Sequence, residues 1–261
     1  MDLQLTGRVA LVTAASRGIG RAVAEQLASE GATVAVAARD RAALAAAAAG
    51  FTGPGRLVPH PVDLADPEAT AGLVGEVVSA HGGLDALVVN TPGPPLKPIL
   101  ETTLDDWAAA YDTLVRPAVQ LALAAAPVMR AAGGGSIVFL TSTWVRQTTV
   151  AGGLSAAMRS AVSALSKQLA LELAPAGVRV NQVMPGATRT GRTEAVLAAK
   201  AQANGTSVAE EAAAATAAIP LGRWGEPAEI ARVVALLVSP AGGYLTGCAV
   251  PVDGGQIRST V

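Results

Sequence analysis

Thr13-Ala14-Ala15-Ser16-Arg17-Gly18-Ile19-Gly20 stands between an apolar run of strand length, Val9-Ala10-Leu11-Val12, and a segment that lines Ile19, Val23 and Leu27 along one helical face. The pattern predicts a strand, a turn of small residues and a helix, in that order. Small side chains let the backbone turn tightly and come close to a ligand. The helix start offers free N–H groups and the positive end of its dipole to an anion. A glycine-rich turn alone is a weak sign. The strand before it and the helix after it make this one the phosphate-holding turn of a dinucleotide site.

Working outward, apolar runs of strand length recur at 33–37, 57–62, 84–89, 136–141, 178–183 and 249–252. The run at 57–62 holds Pro59 and Pro61, so a short strand is expected there. Helix-period segments separate the runs: 41–49, almost pure alanine; one opened by Asp66-Pro67-Glu68 with Asp as cap; one long helix over 103–132; another over 154–174; and one opened by Glu226-Pro227. An alanine-rich insert at 187–218 is expected to form a helical lid over a substrate. Strict alternation, with strands apolar on both faces, predicts one α/β domain over 1–261. Its core is a Rossmann-type, doubly wound, seven-stranded parallel sheet with helices on both faces.

Composition narrows the function classes. Of the 261 residues, 15% are charged, and the formal net charge is −1, which gives no basic surface for nucleic acid or an anionic membrane. The single cysteine, Cys248, excludes an intrachain disulfide and lies in a stretch that reads as buried. His60 and His81 are far apart in sequence, each without a ligand partner at metal-binding spacing, so no metal is expected. The opening residues Met1 to Gly7 lack the charged-then-apolar pattern of a signal segment, and no run is long and apolar enough to span a bilayer. A cytoplasmic location is the expectation.

The second strand ends Ala38-Arg39-Asp40, and Arg39 follows Gly20 by 19 residues, where the adenosine ribose is expected. A carboxylate there suits a 2′-hydroxyl, whereas an arginine suits a 2′-phosphate. Arg39, with Arg17 as a second phosphate partner, favours NADP(H) over NAD(H); Asp40 is the competing residue.

Several further motifs resemble the short-chain dehydrogenase/reductase family, nearest to its β-ketoacyl-carrier-protein-reductase-like members. They are Val62-Asp63-Leu64, Leu84 to Asn90, Ser142, Val180 to Gly186, Leu221 to Pro227 and Val252 to Gly255, together with the glycine turn. The resemblance implies cofactor contacts from Thr13, Ser16, Arg17, Gly18, Ile19 and Gly20. It places Asp63 and Leu64 at the adenine, Asn90, Thr91 and Gly93 beneath the cofactor, and Pro185, Gly186 and Thr190 beside the nicotinamide. It also implies a homotetramer, or a dimer, built on the long helices.

The departures from the family pattern carry equal weight. Ala14 stands where the family has glycine, which is harmless if its φ is negative. Asn90-Thr91-Pro92-Gly93 replaces Asn-Asn-Ala-Gly, and the proline removes a backbone donor. Of the family's Asn, Ser, Tyr and Lys, only the serine remains, as Ser142. Leu114, Ser155 and Arg159 occupy the other places. In such reductases a tyrosine protonates the carbonyl oxygen while a lysine ammonium lowers its pKa. Serine is much less acidic. Arginine keeps the charge and can hold ribose hydroxyls, but it does not shuttle protons.

Ser142, Ser155 and Arg159 are therefore the candidate catalytic residues of an NADP(H)-dependent oxidoreductase acting on a small carbonyl or alcohol compound. A non-redox enzyme on the same scaffold (a dehydratase, cyclase or isomerase) is the alternative, and a non-catalytic binding protein is a third. Trp144, Arg146, Val150 and Arg189 are expected to line the substrate pocket, with Leu197 in the lid and Arg192 as a further candidate for an anionic group. The cofactor reading is testable at Arg39. Arg39→Ala is expected to weaken NADPH binding by about 1.5–3 kcal/mol, the value of a charged hydrogen bond, and to leave NADH nearly unchanged by calorimetry. Equal losses for both would remove Arg39 from the 2′-phosphate.

Overall fold

Every residue of β1 (Val9–Thr13) is buried, and so is every residue of β4 (Ala86–Val89) beside it. Strands this apolar need cover on both faces, and the helices between them supply it. The computed structural model describes residues 2–260. After β1 come α1 (Gly18–Ser29), β2 (Thr33–Ala38), α2 (Arg41–Gly50), β3 (Arg56–Pro61), α3 (Pro67–His81) and then β4. The second half continues with α4 (Leu104–Leu114), α5 (Arg116–Ala131), β5 (Gly135–Leu140), α6 (Gly153–Leu173) and β6 (Val178–Pro185). It closes with α7 (Gly191–Asn204), α8 (Val208–Ala217), α9 (Pro227–Val238) and β7 (Ala249–Val252).

The seven strands are all parallel, in the order β3-β2-β1-β4-β5-β6-β7. Winding runs outward from β1 to β3, then restarts at β4 on the other side of β1. Ligands of such sheets bind at that reversal, beyond the carboxyl ends of the strands. Successive side chains of a strand serve opposite layers. Leu11, Leu87, Ile137 and Phe139 join Leu73, Leu121, Met129 and Leu169 from α3, α5 and α6. Val12, Val36, Val88 and Val138 join Val23, Leu27, Ile230 and Val234 from α1 and α9.

Several local expectations change. The helix expected over 103–132 is two helices, α4 and α5, joined at Val115; Pro117 in the first turn of α5 has no N–H for the preceding turn. Strand β3 is six residues long despite its prolines, because it lies at the sheet edge and pairs on one side only. Cys248 is only partly buried, since it precedes the other edge strand, β7. His60 and His81 are distant in sequence, yet β3 and the end of α3 bring their rings to 6.1 Å, edge to face. Burial, and then His81, lowers the pKa of His60. Among the described residues no group of three or more His, Cys, Asp or Glu is placed to hold a metal. No described helix is long and apolar enough to cross a membrane.

Candidate functional site

The glycine turn lies at the carboxyl end of β1, where the winding reverses. Gly18 has φ +59°, and a Cβ on Gly20 would stand 2.4 Å from the Ala14 carbonyl oxygen and 2.7 Å from Asn90 Nδ2. Only glycine fits at position 20. Ala14 has φ +46°, so the condition under which alanine is harmless there is not met; a Cβ in the left-handed region costs about 1–2 kcal/mol. Arg17 caps α1 in extended conformation without a side-chain hydrogen bond, so the first N–H groups of the helix have no side-chain acceptor. The hydroxyl of Thr13 donates to the Asn90 carbonyl at 2.7 Å and accepts from Asn90 N–H at 3.0 Å. Asn90 Nδ2 donates to the Ala14 carbonyl at 3.3 Å. Thr13 and Asn90 thus shape the cradle from beneath. Thr190 closes it from above, with its Cγ2 3.6 Å from where a Cβ of Gly18 would be.

At the end of β2, Arg39 and Asp40 have different partners. The Asp40 carboxylate accepts from Ala43 N–H at 2.9 Å and starts α2. Arg39 is open, with a side chain 70% exposed and its nearest carboxylate, Asp63, at 4.0 Å. Arg17 is exposed as well. Asp63 accepts from Ala65 N–H, while Leu64 is buried beside it.

The catalytic positions gather at the ends of β4 and β5. Ser142 follows β5; its Oγ accepts from Trp144 N–H at 3.2 Å, leaving its own proton free for another acceptor. Ser155 is buried in the first turn of α6, and Arg159 lies one turn further on. Arg159 Nε donates to Ser155 Oγ at 3.3 Å, Nη1 to the Leu140 carbonyl at 2.8 Å and Nη2 to the Thr91 carbonyl at 3.4 Å. Burial, helped by the charge of Arg192, pushes the Arg159 pKa down to about 10, which leaves it cationic near neutrality. Leu114 is 1% exposed and belongs to the core, so α4 brings no polar group to this point. Tyr111 and Tyr244 are both exposed.

The substrate candidates are placed unevenly. Trp144 is half-buried and packs against Gly152, whose Cβ would stand 2.9 Å from the ring. Arg146 and Val150 are exposed. Arg189 is engaged with Glu226 at 2.9 Å and lies over the Trp224 ring at 5.6 Å. Leu197, on α7, is packed against Ile219 and Trp224. Arg192 reaches from α7 across the cleft to the Gly93 and Pro94 carbonyls, at 2.8 and 2.6 Å. No sequence spacing announces that crossing; the presence of an arginine in the lid is its only trace in the sequence.

The residues present fit a dinucleotide. The cradle admits no side chain at Gly20, the start of α1 has no side-chain cap, and Arg39, with Asp63 at 4.0 Å, stands exposed at the end of β2. A family model described as enoyl-(acyl carrier protein) reductase matches residues 13–256. An uncharacterized oxidoreductase of Mycobacterium tuberculosis is 37% identical over 255 residues, covering 97% of this chain and 93% of that protein. L-sorbose reductase from Gluconobacter frateurii, solved with NADPH and L-sorbose, is 32% identical with a TM-score of 0.95, covering 99% of this chain and 100% of that one. A 7α-hydroxysteroid dehydrogenase, solved with NADH and 7-oxo glycochenodeoxycholic acid, is 27% identical with a TM-score of 0.88, covering 100% of this chain and 98% of that one.

The strain at Ala14 gives a direct test. Ala14→Gly is expected to raise the unfolding free energy by about 0.5–1 kcal/mol, the relief of strain less the added freedom of the unfolded glycine. Urea denaturation measures it, and a less stable variant would show that the alanine is unstrained.

Proposed function

The chain belongs to the short-chain dehydrogenase/reductase family, and on that premise we propose that it is an NADP(H)-dependent oxidoreductase of a small carbonyl or alcohol compound, using Ser155 and Arg159 where the family uses tyrosine and lysine. The observation that carries this is the hydrogen bond from Arg159 Nε to Ser155 Oγ. By accepting from the guanidinium, Ser155 keeps its O–H free to donate to a substrate oxygen. The adjacent positive charge favours the negative charge that develops on that oxygen. Ser142 has a free O–H for the same reason and serves as a second donor.

When bound, the reduced nicotinamide supplies the hydride that forms the new C–H bond as the carbonyl π bond breaks. The oxygen then takes a proton from the Ser155 hydroxyl, which regains one from water. Arg159 donates no proton; it orients the serine and offsets charge. Leu114 closes the route past α4, so the replacing water comes from the pocket mouth. Serine is a weak acid, and reduction of ordinary ketones is slow on this account. The exposed Arg39 and Arg17, with Asp40 spent on a helix cap, support NADP(H); the NADPH held by the sorbose reductase agrees. Thr13, Ser16, Gly18, Ile19, Gly20, Asp63, Leu64, Asn90, Thr91, Gly93, Pro185, Gly186 and Thr190 complete the cofactor site in this reading.

Assembly belongs to the same proposal. Leu104, Leu123 and Leu171, on α4, α5 and α6, are 87%, 63% and 64% exposed, and covering them between copies supports a homotetramer or dimer. Light scattering at micromolar concentration is expected to show an oligomer, and a monomer would refute this.

The chemistry is tested by following NADPH consumption over a panel of ketones. Ser155→Ala is expected to lower kcat on the order of 100-fold, the usual effect of losing an oxyanion donor. Replacing Ser155 by Tyr together with Arg159 by Lys is expected to raise turnover on an activated ketone, and either change alone to do little, because the acid and the ammonium act as a unit. If both Ser142→Ala and Ser155→Ala keep full native activity and NADPH is neither consumed nor required, the reaction is not redox. The missing tyrosine then points to a dehydratase, cyclase or isomerase, or to a protein that binds without turnover.

A further inference from the structure

The segment Thr91-Pro92-Gly93-Pro94-Pro95-Leu96-Lys97-Pro98 follows β4. Four of its residues are prolines and have no N–H, so it presents carbonyls with few donors of its own. Two guanidinium groups occupy that rim. Arg159 donates to Thr91 from the floor of the site, and Arg192 donates to Gly93 and Pro94 from the lid. A Cβ on Gly93 would stand 2.7 Å from the Arg192 guanidinium carbon, so glycine is what lets the arginine lie there.

Carbonyls satisfy hydrogen bonds but carry no net charge. Among the described residues neither Arg159 nor Arg192 has a carboxylate within 4.0 Å, while Arg189, three residues before Arg192, is paired with Glu226. The one charge that acts appreciably on Arg159 is Arg192, and it is repulsive. Burial lowers the pKa of Arg192 as well. Its Nε–H has no acceptor among the described residues. Among the described residues the cleft thus holds two cations, Arg159 half-buried and Arg192 exposed, and no anion of its own, beside the two serine hydroxyls.

The dinucleotide phosphates do not account for Arg192. Thr190 packs on Gly18 and marks the pyrophosphate turn at the end of β1. Arg192 points past it to the rim after β4, where Ser155 and Arg159 converge. Resting on the oxidoreductase reading, we propose that the substrate is a small oxo acid whose carboxylate is read by Arg192. The planar fork of the guanidinium matches a carboxylate in two parallel hydrogen bonds. On binding, the Arg192 guanidinium exchanges the neutral Gly93 and Pro94 carbonyls for a charged acceptor.

The test measures binding rather than turnover. Pyruvate, acetoacetate and levulinate, each paired with its neutral amide, are titrated by calorimetry into the full-length protein saturated with NADP+. The wild type is expected to bind at least one acid about tenfold more tightly than its amide, and Arg192→Met to reduce that preference to about twofold. NADPH affinity, measured separately without probe, is expected to be the same in both proteins. The proposal is overturned if no acid binds, if acids and amides bind equally, or if the preference survives in Arg192→Met. A tenfold loss of NADPH affinity in the variant would also overturn it, by assigning Arg192 to the dinucleotide. Failure of the wild type to bind NADPH or NADH would instead remove the oxidoreductase reading itself.

Discussion

One side-chain hydroxyl joins the two halves of the winding. Thr13, with no exposed surface, donates to the Asn90 carbonyl and accepts from the Asn90 N–H, tying the end of β1 to the end of β4 at the point where the strands would otherwise diverge. The backbone ladder between these strands ends at Val12 and Val88. Beyond it the glycine turn leaves on one side and the proline-rich segment on the other, and the crevice between them is the site. Asn90 extends the join by holding the Ala14 carbonyl, which keeps the turn folded back against Gly20. The whole site is therefore hung from a pair of polar contacts between two apolar strands, and polar contacts in such surroundings are strong and costly to lose.

The altered residues are linked in space. Pro92 and its neighbours turn the segment after β4 into a row of carbonyls, and arginine replaces lysine at 159, where its longer fork spans from the Leu140 carbonyl to the Thr91 carbonyl. A lysine has one nitrogen to share between those two acceptors and the serine. Leu114 fits the same logic, since with no tyrosine and lysine to relay protons a polar residue there would be a buried group without a partner.

The fold was legible because its signals are local and repeated. Apolar runs, caps such as Asp66 and Glu226, and the glycine turn each specify their own few residues, and alternation then leaves little choice of topology. The family resemblance picked out Ser142, Ser155 and Arg159, and the helical spacing of the last two already places them one turn apart, where they meet. What the sequence hid depends on contacts between segments far apart along the chain. Whether Asp40 is free or spent depends on the helix that begins after it. Whether Arg189 or Arg192 faces the cleft depends on where Glu226 lies, 37 residues later for Arg189, and on how α7 crosses the segment after β4. The sign of φ at residue 14 is set by the approach of Gly20 and Asn90, which alanine itself does not reveal. The meeting of His60 and His81 depends on the length of β3.

Helix α8 contributes no buried side chain, and its start is secured by a reciprocal pair between Ser207 and Glu210 rather than by packing. The neighbouring cluster in the lid is small: Leu197, Ile219 and Trp224. Such a segment is held by few apolar contacts, and Arg192 ties it to the Gly93 and Pro94 carbonyls after β4. It follows that α7 and α8 tolerate substitution more readily than the strands beneath them. Packing asks little of most positions between 191 and 217, whereas each buried strand position fills a fixed space.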